Sequence, residues 1–208
     1  MPRAPRDLVL LVGNEPSLRW RSFTKVIVEL AEALGTQLVV TLGALLADVP
    51  HTRPVSVTGL ASDLGLVARL GLNRSSYEGP TGIVGILHAA CQDGGLPSAS
   101  LWAAVPHYIA ASPNPKASLA LVRKLEGLVG VAVDASELES AAADYERQVN
   151  LAVQSDPDVQ AFVERLEQAA GDDPDDPSGP LPSGESIARD LQRFLRQRGN
   201  DDPPHPTV

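Results

Sequence analysis

The chain contains four histidines, the side chain that titrates nearest neutrality, and two of them sit in a repeated context. Val49-Pro50-His51 opens the segment Val-Pro-His-Thr-Arg-Pro, and Val105-Pro106-His107 opens Val-Pro-His-Tyr. Each tripeptide ends or follows an apolar run that reads as a buried strand, over residues 37–43 and 99–105. In open α/β sheets, ligands meet the loops beyond the carboxyl ends of the strands. His51 and His107 are therefore expected on one rim of one sheet. There His51, Thr52 and Arg53 could contact an anion or carboxylate, for which Arg offers a planar fork, and His107 and Tyr108 could present a polar pair. Asn14 and Glu15, in Gly-Asn-Glu-Pro (13–16), follow another strand-like run. Such a turn can hold a phosphate on the amides of the next helix.

Each feature also has a purely structural explanation. Pro50 and Pro54 restrict the backbone, so His51 could bond a carbonyl and Arg53 a local acid within a corner. His107 and Tyr108 could fill the rim with their tips hydrogen-bonded. Residues 13–16 could be a plain strand-to-helix turn. His88 lies one turn before Cys91, which would allow a Cys–His dyad. However, that spacing on a single helix rarely presents both groups to a substrate, and core packing is the expected role. Gly82 and Gly85 do not make a phosphate loop, and neither a P-loop nor a complete Gly-x-Gly-x-x-Gly occurs. The aspartates at 172–176 lack the spacing of a calcium loop, and His205 lies in a tail. No catalytic residue, metal site or cofactor is expected.

The elements that would position the rim alternate. Residues 8–12 (Leu-Val-Leu-Leu-Val) read as a strand buried on both faces. Phe23, Val26, Ile27, Leu30, Ala31 and Leu34 make one helical stripe ending at Gly35. The strand at 37–43 completes a β-α-β unit. Residues 54–58 alternate as a strand, a weaker helix covers about 60–70, and residues 73–81 form a polar loop. Helices are expected over 82–92 and 117–129, on either side of the strand at 99–105. The fold class is therefore α/β, with a mostly parallel sheet flanked by helices over residues 1–132. Residues 133–170 then read as a helical hairpin. Its first helix is capped at Asp134-Ala-Ser-Glu137, and its second begins at Ser155-Asp-Pro-Asp with Val159, Phe162, Val163 and Leu166 on one face. Residues 171–184 form an acidic linker expected to be disordered. Ile187, Leu191, Phe194 and Leu195 give a tethered helix, 185–198, which is marginal alone and so should dock on this chain or a partner. Residues 199–208 form a frayed tail.

The chain has 208 residues, 17 Lys and Arg against 26 Asp and Glu, and a net charge of −9. That balance argues against sequence-independent nucleic-acid binding. A single cysteine allows no intrachain disulfide and no multi-thiolate metal site, as fits a reducing compartment. The run at 8–12 is too short for a signal sequence, and no apolar stretch reaches the ~20 residues of a membrane span. A soluble cytoplasmic protein is expected.

Several segments resemble an actinobacterial branch of the proteasome assembly chaperone family. They are Trp20, Val-Pro-His-Thr-Arg-Pro (49–54), Gly-Ile-Val-Gly-Ile-Leu-His (82–88), Ser-Leu-Trp-Ala-Ala-Val-Pro-His-Tyr (100–108), Asn-Pro-Lys-Ala (114–117) and Leu-Pro-Ser-Gly-Glu (181–185). The resemblance implies a fold similar to the phosphorylase/hydrolase-like fold, homo-oligomerisation and a proteasome-related protein partner. It implies a protein-binding or assembly role rather than catalysis. The alternative is an enzyme or binding protein for a small anionic ligand, using His51, Arg53 and His107. Family members usually carry more chain ahead of the strand read at 8–12, so the α/β domain reads as shortened, with a sheet edge exposed or paired with another subunit. The ending His205-Pro-Thr-Val208 does not match the hydrophobic–tyrosine–any-residue terminus by which some members reach the proteasome.

Overall fold

Strands that are apolar on both faces need cover on both sides, and the chain supplies it with helices. The computed structural model describes residues 7–62, 73–74, 82–109 and 112–171. In order these residues form α1 (Trp20–Ala33), β1 (Val39–Ala47), β2 (Val57–Ala61), β3 (Asn73–Arg74), α2 (Ile83–Asp93), β4 (Ser98–Pro106), α3 (Pro115–Val129), α4 (Ser136–Gln154) and α5 (Pro157–Gly171). The sheet order is β1-β4-β2-β3. β1 and β4 pair in parallel, as do β2 and β3, while β2 and β4 run antiparallel. The architecture is a mostly parallel α/β sheet flanked by helices, as the alternation of elements predicts. Among the described residues, no helix is long and apolar enough to cross a membrane.

Side-chain alternation along β4 divides the core. Ala99, Leu101, Ala103 and Val105 face α3, where Ala117, Leu121, Leu125 and Leu128 meet them. Ser98 and Ser100 point to the other side and are buried. There Ser98 Oγ meets His88 Nδ1 of α2 at 3.0 Å. The Ser100 hydroxyl accepts from Trp102 Nε1 (2.9 Å) and from Thr41 Oγ1 (2.8 Å). Gly43 stands opposite Trp102 in the register. A Cβ on Gly43 would lie 2.5 Å from the Trp102 ring, so the indole can lie over β1 only because that position has no side chain.

Caps set the helix ends as their residues suggest. Asn114 Oδ1 accepts from Ala117 N (3.0 Å) at the start of α3, and Pro115 occupies the first turn. Asp134 accepts from Ser136 N (3.1 Å), and its hydrogen bonds with Ser136 hold its carboxyl below the usual range. Asp156 accepts from the amides of Asp158 (3.0 Å) and Val159 (3.3 Å) at the start of α5. Gly35 ends α1 at φ +65°, the left-handed conformation expected there.

Several sequence expectations change. Residues 8–12 form no strand, and Leu8, Val9, Leu10, Leu11 and Val12 are 64–92% exposed. Their apolar character suits a strand, but no neighbour among the described residues pairs with them. The buried face of α1 is also rotated. Thr24, Val28 and Ala31 are the buried residues of α1, and Val28 and Ala31 cluster with α2 residues Leu87 and Cys91 and with Leu96. Phe23, Val26, Leu30 and Leu34 are 38–62% exposed. Periodicity identifies an apolar stripe, whereas the buried face is decided by which helix lies alongside. The strand read at 37–43 runs on to Ala47, because Ala44-Leu-Leu-Ala47 continues the pairing with β4. The strand read at 54–58 is displaced to Val57–Ala61, and Asn73–Arg74 is a short strand within the expected loop. The helix read at about 60–70 does not start where expected, since Leu60 and Ala61 belong to β2; its residues 63–70, most of the acidic linker, the 185–198 helix and the tail lie outside the described residues. The molecule divides into two units, Met1–Val163 and Glu164–Val208. The α/β sheet and α4 lie in the first, and the described part of the second is the end of α5.

Two tests follow from this packing. Gly43→Ala forces a methyl group into the indole and should destabilise the protein by about 1–3 kcal/mol, read as a lower urea midpoint. Burial pushes the His88 pKa down from its ordinary 6.5. The unfolded chain then binds a proton that the folded chain resists, so stability should fall as pH drops through about 6.5. His88→Gln keeps an acceptor for Ser98 and cannot titrate, and should flatten part of that slope in thermal melts between pH 7.5 and 5.5.

Candidate functional site

Parallel neighbours end side by side, so the β1–β4 register builds the rim. Ala47 pairs with Pro106, and His107 N donates to the Ala47 carbonyl (3.3 Å). The next residue of each strand is then Asp48 on one side and His107 on the other. Asp48 Oδ1 lies 2.8 Å from His107 Nδ1. The two Val-Pro-His tripeptides are thus out of register, and the chain must continue past Asp48 before His51 turns back toward β4. Arg53 N donates to the Pro50 carbonyl (3.4 Å) in that turn.

His51 is buried, with 5% exposure, and every polar group it carries is occupied. Its amide donates to the Tyr108 hydroxyl (2.8 Å), which also lies 2.8 Å from Nδ1. Nε2 lies 2.9 Å from Asn150 Oδ1 on α4. One assignment satisfies all three contacts. The Tyr108 oxygen accepts from the amide and gives its own proton to Nδ1, leaving the imidazole proton on Nε2 to be donated to Asn150. Lys116, in the first turn of α3, donates to the His51 carbonyl and pairs with Glu146 Oε2 of α4 at 2.8 Å. Asn114 extends the same seam, with Nδ2 donating to the Tyr145 hydroxyl (3.2 Å). Four rings then pack edge-to-face. His107 lies 5.4 Å from Phe162 and Tyr108 lies 5.7 Å from it, centroid to centroid, with Tyr108 5.8 Å from His51.

The structure therefore brings together five of the seven rim candidates, in two roles. His51 and Tyr108 are ties within the protein. His107 is partly exposed beside Asp48, and Thr52 and Arg53 are exposed in the turn. Glu15 is engaged elsewhere, accepting from Ile83 N (2.9 Å) at the start of α2. It caps that helix from 68 residues away. Asn14 lies beside it in the exposed 13–16 segment. The docking-helix residues Ile187, Leu191, Phe194 and Leu195 lie outside the described residues. The residues missed by sequence reasoning are Asp48, Lys116, Glu146 and Asn150. Only Lys116 carried a signal, in the Asn-Pro-Lys opening of α3.

Beside the network, a cleft of about 540 Å³ opens between Tyr108 and Ile109 on one side and Tyr145, Gln148, Val149 and Val159 on the other. Its lining mixes polar and apolar surface, and the Asp156 carboxylate at its edge is occupied capping α5. Cys91 and His88 form no reactive pair. Cys91 has 0% exposure, burial pushes its thiol pKa up, and His88 is taken by Ser98. Among the described residues, no three His, Cys, Asp or Glu side chains are grouped to hold a metal ion.

Removing the His51 ring would take the Nδ1 acceptor from the Tyr108 hydroxyl and the Nε2 donor from Asn150 Oδ1 in a partly buried seam. His51→Ala should cost about 2–3 kcal/mol, lowering the melting temperature by roughly 5–10 °C for a chain of this size. Arg53→Ala, at an exposed position, should change stability by no more than about 0.5 kcal/mol. Calorimetry of the two variants reads both effects.

The model of the PAC2 family matches residues 1–153. Among solved structures, a PAC2 family protein from Streptomyces avermitilis is 50% identical, covers 73% of this chain and superposes with a TM-score of 0.67. A proteasome-assembly chaperone homologue from Mycobacterium tuberculosis is 42% identical over 72% of this chain, with a TM-score of 0.65. In each case the match spans 63% of the relative, less than two thirds of its length. An archaeal homologue of proteasome-assembly chaperone from Pyrococcus furiosus shares the fold at 20% identity, covering 73% of this chain and 63% of that one, with a TM-score of 0.54. No curated protein matches the sequence. The chain belongs to the PAC2 family.

Proposed function

We propose that the chain is a protein-binding assembly factor that acts on a proteasome-related partner in the cytoplasm, without catalysing a reaction. The observation that supports this best is its identity to the Mycobacterium proteasome-assembly chaperone homologue. The chemistry of the rim agrees. A general base must reach the proton it removes, whereas His51 is buried with both ring nitrogens bonded. Two basic side chains of the rim also have acids beside them, Asp48 at His107 and Glu146 at Lys116. Such pairs weaken the attraction for a free anion. On this reading His51 and Tyr108 hold the rim in shape, while Thr52, Arg53 and His107 meet the partner. The adjacent cleft, whose lining mixes polar and apolar surface, takes an amphipathic aromatic anchor from it, of the kind that dominates binding energy at interfaces. The 185–198 helix, with Ile187, Leu191, Phe194 and Leu195, is a second candidate contact.

The test uses purified core-particle subunits of the proteasome from the same organism. The chain should co-elute with subunit intermediates and raise the yield of assembled particle. Arg53→Glu should weaken that association roughly ten-fold with the melting temperature unchanged. Absence of co-elution, together with a melting temperature that rises in millimolar inorganic phosphate, would replace this reading with a site for a small anion.

A further inference from the structure

We propose that two copies of the chain exchange residues 8–12, each Leu-Val-Leu-Leu-Val segment adding as a strand to the outer edge of β1 in the partner copy. The first observation is the edge itself. β1 ends the sheet order, so its outer row of amides and carbonyls has no strand partner among the described residues. Sheet edges ordinarily carry lysine, proline or a bulge that blunts them. The nine residues of β1, Val-Val-Thr-Leu-Gly-Ala-Leu-Leu-Ala, contain no charge and no proline, which is the composition of an interior strand. α3 covers β4 and the start of β1, where Val40 is packed, but leaves the rest of that face of β1 open, with Leu42 43% and Leu46 72% exposed.

The second observation is the donor. Leu8, Val9, Leu10, Leu11 and Val12 are apolar on both alternating faces and stand 64–92% exposed. A strand of that composition belongs inside a sheet. Among the described residues, each copy therefore holds one interior-type segment without a sheet and one sheet edge without a strand. A twofold exchange satisfies both at once and closes, as isologous contacts do.

The area suffices. If a fully exposed Leu or Val displays roughly 150–200 Å², the five donor residues with Leu42 and Leu46 offer on the order of 900 Å² per copy, against the ~800 Å² per partner that stable association buries. The joint also brings no charges together, since neither segment carries one, although each chain carries −9. The proposal is independent of the proteasome-related partner, because it concerns another face of the sheet and needs no second protein.

Light scattering coupled to size exclusion on the full chain is the test. The expected mass is twice 21.9 kDa. Leu10→Pro removes a ladder donor at a residue 78% exposed, so the fold should persist by circular dichroism while the dimer dissociates. Ala44→Lys blunts the acceptor edge at an exposed position of β1 and should do the same. Mixed, the two variants restore one intact joint, from the Ala44→Lys donor to the Leu10→Pro acceptor, and dimer mass should return. A monomeric parent chain would mean that residues 8–12 pair within their own chain or meet another protein, and would overturn the proposal. A dimer indifferent to Leu10→Pro, open-ended species, or variants that fail to complement each other would overturn it equally.

Discussion

The nine-residue parallel pairing of β1 with β4 governs everything at the rim. Hydrogen bonds of a parallel ladder fix which residues leave the sheet together. Here they deliver Asp48 beside His107, and the longer first loop then carries His51 over Tyr108. The N-terminus of α3 and the middle of α4 converge on the same point, because Lys116 and Asn150 hold the two ends of one histidine, its carbonyl and its Nε2. A shift of one residue in the ladder would move the Asp48–His107 pair apart and turn the alternating faces of β4 inside out.

A seam of this kind is informative about function mainly through what it excludes. No buried side-chain nitrogen or oxygen among the described residues lacks a hydrogen-bond partner. Fully satisfied polar networks in a low-dielectric setting stiffen what they join, and a group committed to four internal bonds is not free to move protons for a substrate. A stiff rim is also what a binding surface requires, since ordering loops on association costs affinity. The arrangement thus suits recognition by shape, with the exposed turn held from beneath.

Local chemistry was legible in the sequence, and partners in space were not. Strand composition located β1 and β4, and the segments Asp134–Glu137 and Ser155–Asp158 marked where two helices start. The Val-Pro-His echo correctly placed His51 and His107 at neighbouring strand ends. The contacts that decide their roles span 57 to 99 residues of chain, and Asn150 or Glu146 on a helix surface looks the same in sequence whether it faces water or a histidine. The α1 stripe shows the same limit from the apolar side. Six residues at helical spacing identify an amphipathic face, yet of these only Ala31 is buried, and Thr24 and Val28 from beside the stripe complete the buried side. Residues 8–12 carry a strand's composition, but a strand exists only where an edge accepts it.

The single thiol has a practical corollary. Cys91 sits at the junction of α1, α2 and the start of β4, with no accessible surface. A thiol reagent therefore meets nothing on the native molecule and can react only when that junction opens. The labelling rate in the fast-exchange limit measures the free energy of that opening, at one position and without any engineered probe. Nature has left this sheet with its own strain gauge, placed under the helices on the side away from the rim.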